Sequence, residues 1–484
     1  MSNKSKSLSK GGIYYLIYNV LNMAFPLFTG IYVARKLLPV NIGEVAAAHN
    51  LATYFTILAF LGIPTYGLRE IAKTRDNREE RNKLFSELFV INFISTIVFG
   101  SIYFIVICIV PVYNKNFILY LVVGLSIALN AFNISWLYEG LEEFRFISIR
   151  NIVFKLVSFC CLVLFVKGPA DYLYYAAITV VGTAGNYIVN VLYSPKYAKL
   201  TLRSLNLKRH MRPILFLVTV NLAIEIYSLV DITMMNFMSS KESIAFYKYG
   251  LGIHKMLLQI VNTFTMVLVP RISYYYKESK IDAFNQLVSK GMKLIVITSI
   301  PMIVGIYFTS DFLIQEMYGV QYINSATILK MFSILLVVSP IGYLLGSRML
   351  LVTDHESRMV VCVVAGAIVN VVGNALLIPQ FDEFGATLAS IISEFVVMVV
   401  YVSYGKKYFK LITVERTTIK VIVAAVIMGL YLFICSLLQV NGWIKLFLQV
   451  SGAILLYGVT LLFEKEEIST QYITEFLYKK RIKE

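Results

Sequence analysis

Runs of about twenty predominantly apolar residues follow one another along almost the whole chain, and they constrain its fold more than any other feature. A helix needs about 20 such residues to cross the hydrocarbon core of a bilayer, because it rises only about 1.5 Å per residue. Of the 484 residues, 58% are hydrophobic and only 15% are charged, whereas a soluble domain has about 25% charged residues. The sequence therefore predicts an all-α membrane protein with about 14 transmembrane helices.

Basic residues predict how these spans are oriented, because Lys and Arg concentrate in cytosolic loops. The predicted spans are 11–33, 42–64, 86–110, 117–138, 148–166, 172–193, 212–238, 244–269, 289–309, 325–347, 359–379, 384–404, 418–438 and 446–463. Of the 44 Lys and Arg, 34 fall in alternate segments that begin with the N-terminal tail, and 6 fall in the segments between them. We therefore expect a multi-pass protein with both termini in the cytosol.

The concentration of Lys and Arg in the predicted cytosolic segments accounts for the net charge of +16, so no nucleic-acid partner is expected. All five cysteines lie in apolar runs, and none has the CxxC or Cys/His spacing of a metal site. We accordingly expect no disulfide, no metal ion and no cofactor.

The two halves of the chain resemble each other at an offset of 202 residues. The aligned pairs are Asn19 with Asn221, Ile42 with Ile244, and Arg69 with Arg271. The offset corresponds to six spans, and because six is an even number, equivalent spans of the two halves cross the membrane in the same direction. This arrangement is typical of parallel repeats about an axis normal to the membrane. We predict an N-lobe at 1–205 with spans 1–6, a C-lobe at 206–410 with spans 7–12, and an appended hairpin, spans 13–14, with a cytosolic tail at 411–484.

Several short motifs occur in a fixed order on this layout. They are Gly67-Leu-Arg-Glu-Ile-Ala-Lys, Trp136-Leu-Tyr-Glu-Gly-Leu-Glu-Glu-Phe, Val267-Leu-Val-Pro-Arg-Ile-Ser, Asn370-Val-Val-Gly-Asn-Ala-Leu-Leu-Ile-Pro and Gly385-Ala-Thr-Leu-Ala-Ser-Ile-Ile-Ser-Glu. In motif order, length and span count the chain resembles the bacterial polysaccharide flippases of the Wzx type (O-antigen, capsule and teichoic-type). These belong to the superfamily of multidrug, oligosaccharidyl-lipid and polysaccharide exporters.

The resemblance implies a flippase of the bacterial cytoplasmic membrane that works by alternating access. Its substrate would be a polyprenyl-pyrophosphate-linked oligosaccharide, moved from the cytosolic to the outer leaflet. Membrane lipids and a polysaccharide polymerase would be its partners, and coupling to Na⁺ or H⁺ stays open.

Spans 7 and 8 contain the densest set of ionisable residues, Glu225, Asp231, Lys248 and Lys255. Such residues cost at least ~2.5–3.5 kcal/mol each inside a span and are functional candidates. In an antiparallel hairpin Asp231 lies level with Lys248, and Glu225 with Lys255. Two interpretations follow: the four form ion pairs that lock the hairpin, or they line a wet cavity. In the cavity the lysines bind substrate pyrophosphate and Glu225 or Asp231 binds the coupling ion.

Three further basic residues are candidates for substrate binding. Lys155 lies about two turns into span 5, where it either extends to the membrane surface or lines the cavity. Arg69 and Arg271 occupy matched repeat positions at the cytosolic membrane surface. Either they anchor the protein at the cytosolic surface, where Lys and Arg are generally enriched, or they form the entry site at which the phosphate head groups of the substrate bind.

Two other functions are weighed against the flippase. A cation-coupled multidrug-type exporter of small amphipathic molecules needs more buried acid than buried base, whereas spans 7 and 8 contain two of each. A membrane enzyme needs a large loop with clustered carboxylates or histidines. The longest loops have about 20 residues and are mostly basic, and the chain has four histidines. We therefore expect no catalytic residues.

Overall fold

The computed structural model describes residues 25–203, 205–353, 355–406, 415–438 and 442–464. Within these residues the regular elements are helical, so the prediction of an all-α chain is confirmed. The basic N-terminal residues, most of predicted span 1 with Asn19, and the basic tail after Glu464 lie outside the described residues.

By packing, the chain divides into two compact units after Ile244. The first unit contains α1 (Phe25–Ala34), α2 (Pro39–Phe60), α3 (Ile63–Lys73), α4 (Arg78–Ile109), α5 (Pro111–Asn114), α6 (Phe117–Asn130), α7 (Ser135–Gly140), α8 (Phe144–Phe165), α9 (Tyr172–Val180), α10 (Asn186–Tyr193) and α11 (Lys208–Met238). Next, α12 (Lys241–Met266) begins just before this boundary.

The second unit continues with shorter helices around one long central helix. Its helices after α12 are α13 (Val269–Lys277), α14 (Ile281–Tyr318), α15 (Asn324–Phe332), α16 (Leu335–Gly342), α17 (Arg348–Val352), α18 (Glu356–Gly405), α19 (Glu415–Leu437) and α20 (Gly442–Phe463). A π-helical turn at Tyr343–Ser347 joins α16 to α17, so predicted span 10 is not one regular helix.

The helices of the described residues identify a multi-pass membrane protein. Among the described residues, eleven helical segments are long and apolar enough to cross a membrane. The count of fourteen, the repeat and the lobes at 1–205, 206–410 and 411–484 stay predictions.

The 50-residue helix α18 folds back on itself. At about 1.5 Å per residue, 50 residues would extend ~75 Å, more than twice the thickness of the hydrocarbon core. Asp382 interrupts the helix with φ 47° and ψ −123°. The Ser393 hydroxyl on one side of this break donates to the Gly366 carbonyl on the other at 2.6 Å. The arms 356–381 and 383–405 therefore form an antiparallel hairpin.

Polar contacts attach α11 to α2 within the first unit. The Asn50 amide donates to the Thr233 hydroxyl at 2.8 Å and to the Leu229 carbonyl at 3.2 Å. The Thr233 hydroxyl in turn lies 3.1 Å from the Tyr54 hydroxyl. Such contacts between helices act where lipid supplies no hydrophobic driving force, so they position α11 on the first unit.

Two glycines from the sequence motifs explain how α3 packs on α7. A Cβ atom at Gly67 would lie 2.8 Å from the indole ring of Trp136, and one at Gly140 would lie 2.8 Å from the side chain of Ile71. Trp136 is buried, as is Ile71. The glycines of the motifs therefore allow α3 and α7, the short helices that follow α2 and α6, to pack closely against each other.

Candidate functional site

One face of α12 presents basic and polar side chains at helical spacing. Lys248, Gly252, Lys255 and Gln259 are spaced four, three and four residues apart, which places them on one side of the helix. Lys248 is half-buried, while Lys255 and Gln259 are exposed. A Cβ atom at Gly252 would have no heavy atom within 4 Å. The two predicted lysines therefore share an open surface, which we call the lysine face.

The other side of α12 packs within the second unit, through residues that lie roughly 90–130° from the lysine face in either direction. His254 on this packed side is only 3% exposed and stacks on Phe332 with a ring separation of 5.3 Å. Tyr249 stacks on Tyr318 at 4.2 Å. This packing fixes the rotation of α12 within the unit and directs the lysine face away from the core.

The two acidic candidates lie in the first unit, on α11. Asp231 is buried and interacts electrostatically with Tyr54 on α2, next to the Thr233 contact. Glu225, less than two turns earlier, is exposed. Because Lys248 and Lys255 belong to the second unit, the pairing of the four residues stays a prediction.

The remaining predicted residues have unequal surroundings. The Arg69 side chain is 60% exposed, pairs with Glu70 at 3.3 Å and lies over the Tyr66 ring at 5.8 Å. Arg271 is exposed on α13. The half-buried Lys155 places its ammonium group over the Phe25 ring at 5.3 Å. Both arginines can therefore meet a ligand, whereas the Lys155 ammonium already contacts an aromatic face.

A buried polar network near the predicted cytosolic end of the first unit was not expected from the sequence. Its central residue is Glu87 of α4, which has no exposed surface. Its carboxylate accepts from Arg209 Nη2 at 2.5 Å and lies 2.9 Å from His210 Nε2. His210 Nδ1 lies 2.8 Å from the Tyr66 hydroxyl. The imidazole tautomer with its proton on Nε2 satisfies both contacts, since Nδ1 then accepts from the tyrosine.

The segment between α10 and α11, which we call the strap (residues 197–203 and 205–207), is attached to the same helix. All four contacts involve side chains in the first three turns of α4. They are Arg81 Nε to the Tyr197 carbonyl at 3.0 Å, Lys199 N to Asn82 Oδ1 at 2.9 Å, Thr201 N to Ser86 Oγ at 2.7 Å, and Asn206 N to Glu87 Oε1 at 2.7 Å. The strap is therefore an ordered part of the first unit.

Several aromatic rings lie close together where the strap meets the ends of α7, α8 and α10. Phe146 stacks on Tyr193 at 4.4 Å, and the Lys196 ammonium lies about equally far from the Tyr193 and Tyr197 rings, at 5.2 and 5.3 Å. Burial raises the pKa of Tyr197 to about 12, and the Glu143 carboxylate adds to this rise. Tyr197 therefore stays protonated at physiological pH and can donate a hydrogen bond.

The family model described as polysaccharide biosynthesis protein matches residues 8–276, which is more than half of the chain. The chain belongs to this family. The match includes the polar network around Glu87, the strap and the lysine face.

A curated relative extends the similarity over most of the chain. The putative O-antigen transporter of Escherichia coli K12 is 20% identical over 409 residues, which are 81% of this chain and 95% of the relative. This similarity extends beyond the residues that the family model matches.

Two solved structures share the fold. The lipid II flippase MurJ in an inward closed conformation matches with a TM-score of 0.75 at 15% identity, over 94% of this chain and 100% of that chain. An inward-facing MATE family multidrug transporter matches with a TM-score of 0.64 at 13% identity, over 81% of this chain and 97% of that one. At these identities both show the fold alone.

Proposed function

We propose that this chain is a flippase that moves a polyprenyl-pyrophosphate-linked oligosaccharide from the cytosolic to the outer leaflet by alternating access. Its family is that of polysaccharide biosynthesis proteins. The E. coli relative is named as a transporter of O-antigen, and the chain with the TM-score of 0.75 is named as a flippase of lipid II. These names describe transport, and the chain accordingly acts as a transporter rather than an enzyme.

The observation that carries this proposal is the lysine face of α12. Each lysine facing lipid near the middle of a span would cost ~2.5–3.5 kcal/mol, which favours water or an anionic group beside this face. Lys248 and Lys255 are two turns apart on it, with the small Gly252 between them. Two ammonium groups on one open side of a helix suit the charge of a pyrophosphate.

The proposal includes the membrane topology of the chain and the ion gradient that drives transport. Both termini lie in the cytosol of a bacterium, and lobes 1–205 and 206–410 move against each other, with 411–484 as an appendage. Arg69 and Arg271 receive the phosphate head groups at the cytosolic surface, and Lys155 adds a third contact. Na⁺ or H⁺ coupling, for which Glu225 and Asp231 are candidates, drives the cycle. A polysaccharide polymerase takes the product at the outer leaflet.

The competing function is export of small amphipathic cations, as in the multidrug branch. The open surface of α12 is basic over two turns, and a basic surface repels a cationic substrate. The similarity to the MATE transporter concerns the fold and leaves this argument unchanged.

The deciding experiment compares two substitutions at Lys255. We expect Lys255→Ala to lower flipping of a fluorescent lipid-linked oligosaccharide in proteoliposomes by about 10- to 100-fold, the effect of losing one charge-assisted hydrogen bond. Lys255→Arg preserves the charge and should retain most of the activity. Lys277→Ala on the exposed surface of α13 is the matched control. Full activity of both Lys255 variants at normal protein levels would refute the role of the lysine face.

A further inference from the structure

The second arm of α18 has a polar stripe that the proposed substrate site does not use. Glu383, Thr387, Ser390 and Glu394 follow one another at intervals of four, three and four residues and therefore share one helix face. The first three are 4%, 0% and 8% exposed, and Glu394 is half-buried. Burying two carboxylates and two hydroxyls in a membrane span is costly, so a functional reason is expected.

The stripe begins beside the hairpin turn at Asp382. Glu383 Oε1 accepts a hydrogen bond from the Asn324 amide of α15 at 2.9 Å. One turn further, the Thr387 hydroxyl donates to the Glu383 carbonyl at 2.7 Å. Because Asp382 itself is exposed, this end of the stripe lies next to the surface at the end of the span.

The stripe continues inward through polar groups of other helices. Ser390 Oγ accepts from the Asn370 amide of the first arm at 3.3 Å and lies 3.3 Å from the Tyr247 hydroxyl of α12. Glu394, one turn deeper, accepts from the Ser339 hydroxyl of α16 at 2.7 Å. Residues one turn apart are separated by about 5–6 Å between Cβ atoms, a gap that a single water molecule bridges.

Beyond Glu394 the α16–α17 segment packs tightly against the second arm of α18. A Cβ atom at Gly342 would lie 3.2 Å from the Cα of Met398, and one at Gly346 would lie 2.1 Å from the Cβ of Tyr401. The α16–α17 segment and the second arm thus approach too closely for water to pass. The polar stripe therefore has one end near the surface and ends at Glu394.

The helix facing Glu394 is interrupted at this level. Pro340 follows Ser339 directly, and the π-helical turn at Tyr343–Ser347 comes three residues later. Prolines remove a helical hydrogen bond, and π turns occur frequently at functional sites. Tyr343 and Tyr401 interact electrostatically with Glu394, and Arg348 interacts with Tyr343. A change of charge on Glu394 thus acts on a segment that can bend.

We propose that Glu383, Thr387 and Ser390 form a proton path from the outer surface to Glu394, a carboxylate that takes up a coupling proton in addition to any role of Glu225 and Asp231. The inference rests on the proposed function and on the orientation that places the Asp382 turn outside. A hydronium ion at the outer end gives up its proton, which moves along the hydroxyls and intervening water. The Glu394 carboxylate becomes a neutral carboxylic acid, and the water molecule remains outside.

The test uses full-length protein in proteoliposomes, with flipping measured while the outer pH is lowered against a constant inner pH. Wild type should accelerate as the outside becomes acidic, and Glu394→Gln, which has the shape of the protonated acid, should lose this dependence. Asp311→Asn is the control, because this exposed carboxylate pairs with Lys330 and is not part of the stripe. We expect it to respond like wild type.

A second pair of variants tests the path rather than its end. Thr387→Val removes the hydroxyl at nearly constant volume and should slow proton uptake, measured with a dye inside the vesicles, by about tenfold. Thr387→Ser should restore it. Wild-type pH dependence of Glu394→Gln, or a requirement for sodium at constant pH that this variant abolishes, would overturn the proposal. Exchange of lipid-linked oligosaccharide without any gradient reports on the proposed function separately and should survive in Glu394→Gln.

Discussion

Replacing Glu87 by Ala should loosen the end of the strap next to α11 together with the first turn of α11, which carries Arg209 and His210. The substitution removes three interactions: the backbone hydrogen bond from Asn206, the bond to the buried His210, and the ion pair with Arg209, whose side chain is 42% exposed. The first two contribute about 1 kcal/mol each, and the imidazole is left without its buried partner. Solvent screening limits the third to about 0.5–1 kcal/mol. The loss is about 3 kcal/mol, which increases the opened population of this end of the strap and the first turn of α11 roughly 100-fold.

Limited trypsin digestion of the detergent-solubilised protein measures this opening, because Arg203 and Lys208 lie at this end of the strap and at the start of α11. When opening and reclosing are fast relative to cleavage, the cleavage rate follows the opened population. We therefore expect cleavage after these residues to be about 100-fold faster in Glu87→Ala. The control, Glu79→Ala, alters an exposed carboxylate on the same helix and should change the rate no more than about threefold. Equal cleavage of wild type and Glu87→Ala would show that the network does not hold the strap.

Two further substitutions test packing within each unit. Gly346→Ala places a methyl group 2.1 Å from the Cβ of Tyr401 and should lower thermal stability, by about 1–3 kcal/mol for an overpacked contact; an unchanged melting temperature in detergent would contradict the tight approach. Asn50→Leu removes the amide that reaches Thr233 and should destabilise the α2–α11 contact by about 0.6–2 kcal/mol, seen as faster labelling of a cysteine introduced at Leu229. Labelling at the wild-type rate would show that other contacts hold α11 in place.

The sequence predicts helix content well, because the length of an apolar run and the need to satisfy its backbone are local properties. It also places a break between residues 379 and 384, where the structure has the Asp382 turn. It does not predict the π-helical turn at Tyr343–Ser347. Pro340 indicates an interrupted helix there, but the type of interruption depends on close packing against the second arm of α18.

The candidate site is harder to predict from the sequence than the helices are. The sequence shows which ionisable residues lie inside spans, but it does not show which residues they contact in the fold. Lys248 and Lys255 stand out as residues that no loop can explain, and the structure places both on one open face. Glu87 lies at the first turns of an apolar run, where it looks like a loop residue. Only the fold brings His210 to it, across more than a hundred residues. A carboxylate just inside predicted span 86–110 is the signal that could have found it.

The attachment of α11 bears on where this chain can be divided. The strap is a long linker without helical structure, which ordinarily marks a site for dividing a protein into two co-expressed fragments. Here Glu87 fixes it to α4 and Asn50 fixes α11 to α2, so a cut in the strap would separate a helix from the unit that stabilises it. The short turn at Ser239–Ser240, just before α12, leaves both sets of contacts intact. Fragments intended to insert and fold separately should therefore be divided at that turn.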